Sequence, residues 1–410
     1  MKILFVFADD FPYSGACTNI LNHLFKTGVL QSEAEKIAVL SAKYSFDEKD
    51  FGTVDNTDVY RAYVWEVFPL KAQENKFSHL GAFLRGAAVK TFAAVKNKFS
   101  PYAYIKPDFC GCIYKKLKKI NAGDFDVIVA MSGDFNIAEA VRKYVEKHPG
   151  PKFVLYQVDP CSNNESMPEG SKEERAEIEK KAFELADLIF TTPLIYGYLL
   201  EKYPDFAGKI RTLEFPNVVR PAFSPDAQKE IDFIFTGSLY GGIRDPEYTF
   251  RLIEGASEDE NSKFYLVGAA KKDVGFEYNE KKIVCTGRKS IEETAEMLSK
   301  SRFLVNIGNK MKNQVPSKLF DYVSTGKPII NVCKNPDCYS KEYLKKYPLA
   351  LNLYEDENLL EKQISELKEF TEKYRDAAVG FDEIRELYAE CTPEYCAEKL
   401  LEGFCEILKK

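Results

Sequence analysis

Histidine is nearly absent from this chain: 410 residues hold three, His23, His79 and His148. A Cys/His zinc site is therefore not expected, nor is chemistry that leans on a histidine base. The ten cysteines are scattered (Cys17, Cys161, Cys285 and Cys405 among them), and no CxxC occurs. Cys110 and Cys112 stand at a poor spacing for a metal. This usage predicts reduced thiols in a cytosolic protein. No apolar stretch reaches the roughly 20 residues of a membrane helix. The opening MKILFVFA is a short apolar run ended by Asp9 and Asp10, without a small-residue cleavage site, and reads as a buried first strand. Repeats of solenoid length and low-complexity tracts are missing, which excludes repeat and fibrous architectures. No acidic D-x-D pair stands out at a strand end, so neither a divalent metal nor a cofactor is expected.

Hydrophobic residues at 45% and charged residues at 29% are ordinary for a globular chain, and the length suggests two domains. The net charge of −6 argues against general nucleic-acid binding. The charge is uneven, however. From Lys71 to Ile120 eleven Lys and Arg face only Glu74 and Asp108, a local +9. Phe83, Leu84, Val89, Phe92, Val95 and Phe99 lie among Arg85, Lys90, Lys96 and Lys98. The segment 71–120 fits a basic amphipathic helix resting on an anionic membrane face. A solvated helix whose apolar side packs on its own domain fits the same residues.

The N-terminal half alternates strand and helix. Ile3–Phe7, Ile37–Leu40, Val59–Val64, Asp126–Ala130, Phe153–Val158 and Leu188–Thr191 read as strands, with helical spacing at Asn19–Phe25, Ile137–Val145, Glu173–Ala186 and Ile195–Lys202. Continuous apolar runs of this kind belong to parallel strands buried on both faces. Three prolines between Phe215 and Pro225 mark a linker. The rhythm then restarts, with strands at Asp232–Phe235, Phe264–Val267, Ile283–Cys285, Phe303–Ile307 and Pro328–Val332. The expectation is an α/β protein of two Rossmann-like domains, residues 1–215 and 216–390, with a C-terminal helix over 391–410. Such sheets bind ligands at the carboxyl ends of their strands, and two facing halves enclose a cleft.

Two segments carry chemistry. After the strand ending at Phe235 come Gly237, Ser238, Gly241, Gly242 and Arg244, then Pro246 at a helix start. Glycines admit an anion to the backbone, the helix offers free N–H groups, and Arg244 adds a fixed fork for phosphate. A plain strand–turn–helix junction with a surface arginine is the alternative. The second segment runs from Asn313 through Pro316, Ser317, Lys318 and Asp321 to Gly326 and Pro328. Lys318 falls in the first turn of a helix, where a cation opposes the dipole unless an anion sits beside it. Asp321, three residues on, can accept hydrogen bonds from two sugar hydroxyls. A simple i, i+3 surface ion pair accounts for the same two residues.

Together these segments resemble the donor site of GT-B glycosyltransferases, closest to the family-4 retaining type. In that family the glycine-rich loop faces the donor diphosphate, and an acid five residues before a G-x-P-[VI]-[VI] stretch grips the donor ribose; Asp321 matches it against Gly326. The P-S-K-[LF]-x-[ED]-Y variant covers Pro316–Tyr322. The similarity extends to Glu179–Thr192, to Phe215–Val219 and to Pro12-Tyr13-Ser14-Gly15, which looks like the loop meeting donor and acceptor. The resemblance implies two domains facing across a cleft, with the C-terminal helices able to cross back to the first. It implies donor binding by Gly15, Gly237, Ser238, Asn313, Pro316, Ser317 and Asp321, and metal-independent transfer to a glycan or lipid-linked acceptor. Arg244 and Lys318 then stabilise the departing diphosphate, and Asp159 orients the acceptor hydroxyl or touches the donor sugar. Asp159 reads equally as a cap before Pro160, and Asp134 as the cap of the helix at Ile137.

Two positions depart from the family. Asn313 stands where its first motif Glu belongs, and Ser238 where its loop has Arg. They keep open a non-catalytic nucleotide-sugar-binding or scaffold protein. A nucleotide-sugar 2-epimerase would want several acids and histidines, which three histidines do not supply. The favoured expectation is a hexosyltransferase-like enzyme of cell-surface polysaccharide or glycolipid synthesis, cytoplasmic and at the inner membrane face.

Overall fold

Along the first strand the side chains alternate between two cores: Leu4 and Val6 enter one, Ile3, Phe5 and Phe7 the other. That alternation is what a continuous apolar run does when both faces of a sheet are covered. The computed structural model describes residues 1–13, 15–43, 48–64, 87, 91, 95, 107–132, 135–165, 167, 169–223, 228–239, 244–257, 262–311 and 315–409. The chain divides into two compact units, Met1–Pro216 with Pro393–Lys410, and Asn217–Thr392.

The first unit holds β1 (Lys2–Val6), β2 (Lys36–Ala42), β3 (Phe51–Val54), β4 (Thr57–Ala62), β5 (Val127–Ser132), β6 (Lys152–Gln157), β7 (Leu188–Thr191) and β8 (Ile210–Thr212). They form one sheet in the order β3-β4-β2-β1-β5-β6-β7-β8. All pairings are parallel except β3 with β4, so the expected parallel sheet is mixed at one edge. That hairpin turns at Asp55–Asn56, both at positive φ, a two-residue turn the sequence does not announce with glycine. The helix Pro393–Leu408 belongs to this unit: Cys396, Ala397, Leu400, Phe404 and Ile407 share the core of Ile3 and Phe5. Of the basic segment, the helix Pro107–Lys119 is described, and its Phe109, Cys110, Ile113 and Leu117 pack into the other core. The apolar residues from Phe83 to Phe99 lie outside the described residues apart from Val95, which is exposed.

A polar cluster is buried between β6 and the helix Lys172–Leu185. Glu179, with no exposed surface, accepts hydrogen bonds from Gln157 Nε2 at 2.7 Å, Tyr203 Oη at 2.9 Å and Ser162 Oγ. Arg175, equally sunk, donates to the carbonyls of Cys161, Ser162 and Asn164. Together they fasten the segment that leaves β6, the one that begins with Asp159.

The second unit holds β9 (Ile231–Thr236), β10 (Phe264–Val267), β11 (Ile283–Gly287), β12 (Ser301–Ile307), β13 (Ile329–Cys333) and β14 (Ala350–Tyr354), in the order β11-β10-β9-β12-β13-β14. Every pairing is parallel. Asn306, Asn331 and Asn352 face one another across three strands, linked by amide hydrogen bonds of 2.8 and 2.7 Å. This ladder pins the register, because a slip would strand buried amides. Cys333 and Cys338 are joined by a disulfide, which corrects the expectation of reduced thiols throughout. The turn Lys334–Asp337 folds the chain back and brings their Cα atoms to 6.1 Å, a pairing no CxxC search finds. Among the described residues no helix is long and apolar enough to cross a membrane.

Glu179→Ala removes the acceptor of three buried donors. It is expected to destabilise the first unit by about 3–5 kcal/mol, with Glu179→Gln milder. Urea unfolding of the purified chain checks this; an unmoved midpoint would show the cluster to be dispensable.

Candidate functional site

In the second sheet the strand order reverses between β9 and β12, and such a reversal opens a crevice beyond the carboxyl ends of those strands. Gly237 and Ser238 leave β9, and Gly308 and Asn309 leave β12. Arg244 joins the two. Its Nε and Nη2 donate to Asn309 Oδ1 at 3.1 and 2.7 Å, and Nη1 donates to the Ser238 carbonyl at 3.2 Å. The guanidinium carbon lies 5.8 Å from the centre of the Phe235 ring. The arginine is thus held in one orientation at the switch point. Asn309 has no part in the sequence reading; its one signal is a polar residue directly after a glycine at a strand end. The backbone is crowded here as well. At Gly268, φ 101°, a Cβ would stand 2.7 Å from the Gly237 carbonyl oxygen, so a side chain would displace the loop.

Tyr322 sets the helix Lys318–Ser324 against the same strand end. The Thr236 N–H donates to its Oη at 2.7 Å, and Thr236 Oγ1 lies 3.3 Å away. Burial pushes the phenol up to about 12, which keeps it a neutral hydroxyl. Thr236 precedes Gly237 and Asp321 precedes Tyr322, so one buried contact fixes loop against helix. The hydroxyl feels the charges of Arg244 and Asp321 in opposite senses.

Lys318 opens that helix, and its Nζ lies 3.1 Å from Asp321 Oδ2. The side chains are 51% and 39% exposed, so the pair contributes less than about 1 kcal/mol. The surface ion pair is what this structure holds, and it is weak. Pro316 is buried and Ser317 exposed just before Lys318. Asn313 and the loop residues 240–243 lie outside the described residues, as does Asp134.

The remaining candidates belong to the first unit, whose order reverses between β1 and β5. Asp9, beyond β1, accepts the N–H groups of Cys17 at 2.7 Å and Thr18 at 3.3 Å and so caps the helix Ala16–Lys26. Gly15 has φ 128°, and a Cβ there would overlap the Asp9 carboxyl, so only glycine fits. Asp159, beyond β6, is partly buried. Burial pushes its carboxyl up to about 6, and the charge of Asp9 adds to the shift. Burial likewise raises Asp9, against the pull of its two amide bonds. Gly15 thus packs against Asp9, and the charge of Asp9 acts on Asp159. In the second unit Gly237, Ser238 and Arg244 gather at one strand end, with Lys318 and Asp321 on the helix tied to it.

No protein-family model matches the chain, and no curated protein matches its sequence. Solved structures do match over nearly the whole length. The lipopolysaccharide outer core galactosyltransferase WaaB in its apo form has a TM-score of 0.57 at 12% identity, covering 99% of each chain. TarM has a TM-score of 0.61 at 9% identity, covering 98% of each. A trehalose-6-phosphate protein from E. coli, bound with UDP-2-fluoro glucose, has a TM-score of 0.59 at 10% identity, covering 98% of this chain and 99% of the other. At these identities the likeness is one of fold, and the fold is GT-B: two Rossmann-like α/β units in one chain.

Proposed function

We propose that the protein is a glycosyltransferase that moves a sugar from a UDP-linked donor to a glycan or lipid-linked acceptor in cell-surface polysaccharide or glycolipid synthesis. The observation that carries the reading is Arg244, held by Asn309 and the Ser238 carbonyl at the switch point of the second sheet, one buried contact away from Asp321. In this role the guanidinium and Lys318 take the diphosphate, which leaves the Asp321 carboxylate free to accept from the ribose hydroxyls. A fixed cation aimed at a leaving diphosphate stabilises charge as the glycosidic bond breaks, without reorganisation during the step. Asp159 accepts a hydrogen bond from the acceptor hydroxyl. Retention of configuration and metal-independence follow from the family resemblance. UDP as the donor nucleotide is supported by the bound UDP-2-fluoro glucose of the E. coli neighbour. Work at the inner face of a membrane fits the basic segment 71–120.

Thermal unfolding with UDP, GDP, CDP, ADP and dTDP tests the donor assignment. UDP is expected to raise the melting temperature of the wild type. Arg244→Ala and Lys318→Ala are each expected to weaken UDP by about tenfold or more. Stabilisation by no nucleotide would overturn the reading, and stabilisation without release of UDP from any UDP-sugar would favour a binding or scaffold protein.

Asp159 predicts the pH dependence. Its carboxyl sits at about 6, above the usual value, through burial and then through Asp9. The hydrogen-bond-accepting form therefore gathers as pH rises through 6, and transfer rises with it. The sign for stability is opposite: the folded state holds the proton more tightly, so this group favours folding at low pH and loses that contribution as pH climbs through 6. Asp159→Asn is expected to flatten the acid limb of the rate profile. Asp9→Asn, which removes a neighbouring negative charge, is expected to move the limb to lower pH.

A further inference from the structure

Tyr13 is 67% exposed, and a lone exposed aromatic needs no explanation by itself. The backbone that carries it does. The Tyr13 N–H donates to the Asp10 carbonyl at 2.8 Å. Asn22 Nδ2 donates to the Pro12 carbonyl at 3.0 Å, and Arg61 Nη2 to the Phe11 carbonyl at 3.1 Å. Phe11 is buried edge-on against Phe7 and Phe25, with ring centres 6.0 and 6.2 Å away. Arg61, which reaches across from β4, is itself buried. Residues 10–13 are thus fastened from a helix and from a strand, and Tyr13 is the most exposed of the four. Fixing four residues costs backbone entropy, and burial of this ring offsets little of it.

The place of the ring is informative. It stands on the loop beyond β1, at the switch point of the first sheet, where open α/β sheets take ligands. The same loop carries Asp9 and Gly15, and the charge of Asp9 reaches Asp159. An aromatic face on the same loop as a carboxylate is a composition suited to a sugar. The C–H groups of a pyranose lie against the ring while its hydroxyls donate to the acids.

We propose that Tyr13 is a specificity residue on whose ring a pyranose of the acceptor stacks. The inference rests on the transfer reading above, but its test is separate. The full chain, Tyr13→Ala and Tyr13→Phe are titrated with methyl glucoside, methyl galactoside and methyl N-acetylglucosaminide by saturation-transfer NMR, and with UDP by calorimetry. At least one of the three sugars binds the wild type. Tyr13→Ala weakens that sugar by about tenfold, whereas Tyr13→Phe, which keeps the face, stays within about threefold. The melting temperature without ligand is the same in all three proteins, because the ring is exposed. Equal sugar binding by wild type and Tyr13→Ala overturns the proposal, as does a wild type that binds none of the sugars. A wild type that fails to bind UDP counts instead against the transfer reading.

Discussion

The second unit's candidate site depends on one buried contact, the Thr236 amide donating to the Tyr322 hydroxyl at 2.7 Å. A strand end and a helix meet there, and each carries a candidate ligand next to the contact, Gly237 on one and Asp321 on the other. Exposed loops drift when nothing buried holds them. Here burial does the holding, since losing an interior hydrogen bond would leave an orphaned amide in the core. Burial also keeps the phenol neutral, so the hinge point carries no charge of its own.

Around that point the charged groups divide into held and exchangeable. Arg244 is oriented by Asn309 and by the Ser238 carbonyl, so its guanidinium is already ordered. Lys318 and Asp321 are paired with each other in an exposed setting where water already screens them. Separating them costs little.

The first unit is organised by different means. Glu179 and Arg175, sunk beneath the segment that leaves β6, fasten it from below by hydrogen bonds. Asp9 closes the first turn of the neighbouring helix and excludes any side chain at position 15. Burial disfavours ionisation of both Asp9 and Asp159, and the charge of Asp9 adds to the effect on Asp159. The fold fixes their environment, and the environment raises the Asp159 carboxyl to about 6.

The sequence by itself determined the two-sheet α/β architecture, because strands buried on both faces must be apolar throughout and so announce themselves. It did not reveal β3, whose residues alternate toward solvent and whose turn is Asp55–Asn56, nor β8, which is three residues long. It offered Gly237, Arg244, Lys318 and Asp321 as candidates, since glycine and charge at helix starts have local reasons. What only the tertiary structure decided was partnership. Arg244 with Asn309 and Thr236 with Tyr322 are pairs far apart in the chain. They meet because the strand order reverses, a property of how the sheet assembles that no local pattern encodes. The same is true of the C-terminal helix, whose apolar stripe is legible but whose place in the core of the first unit depends on which surface is left uncovered.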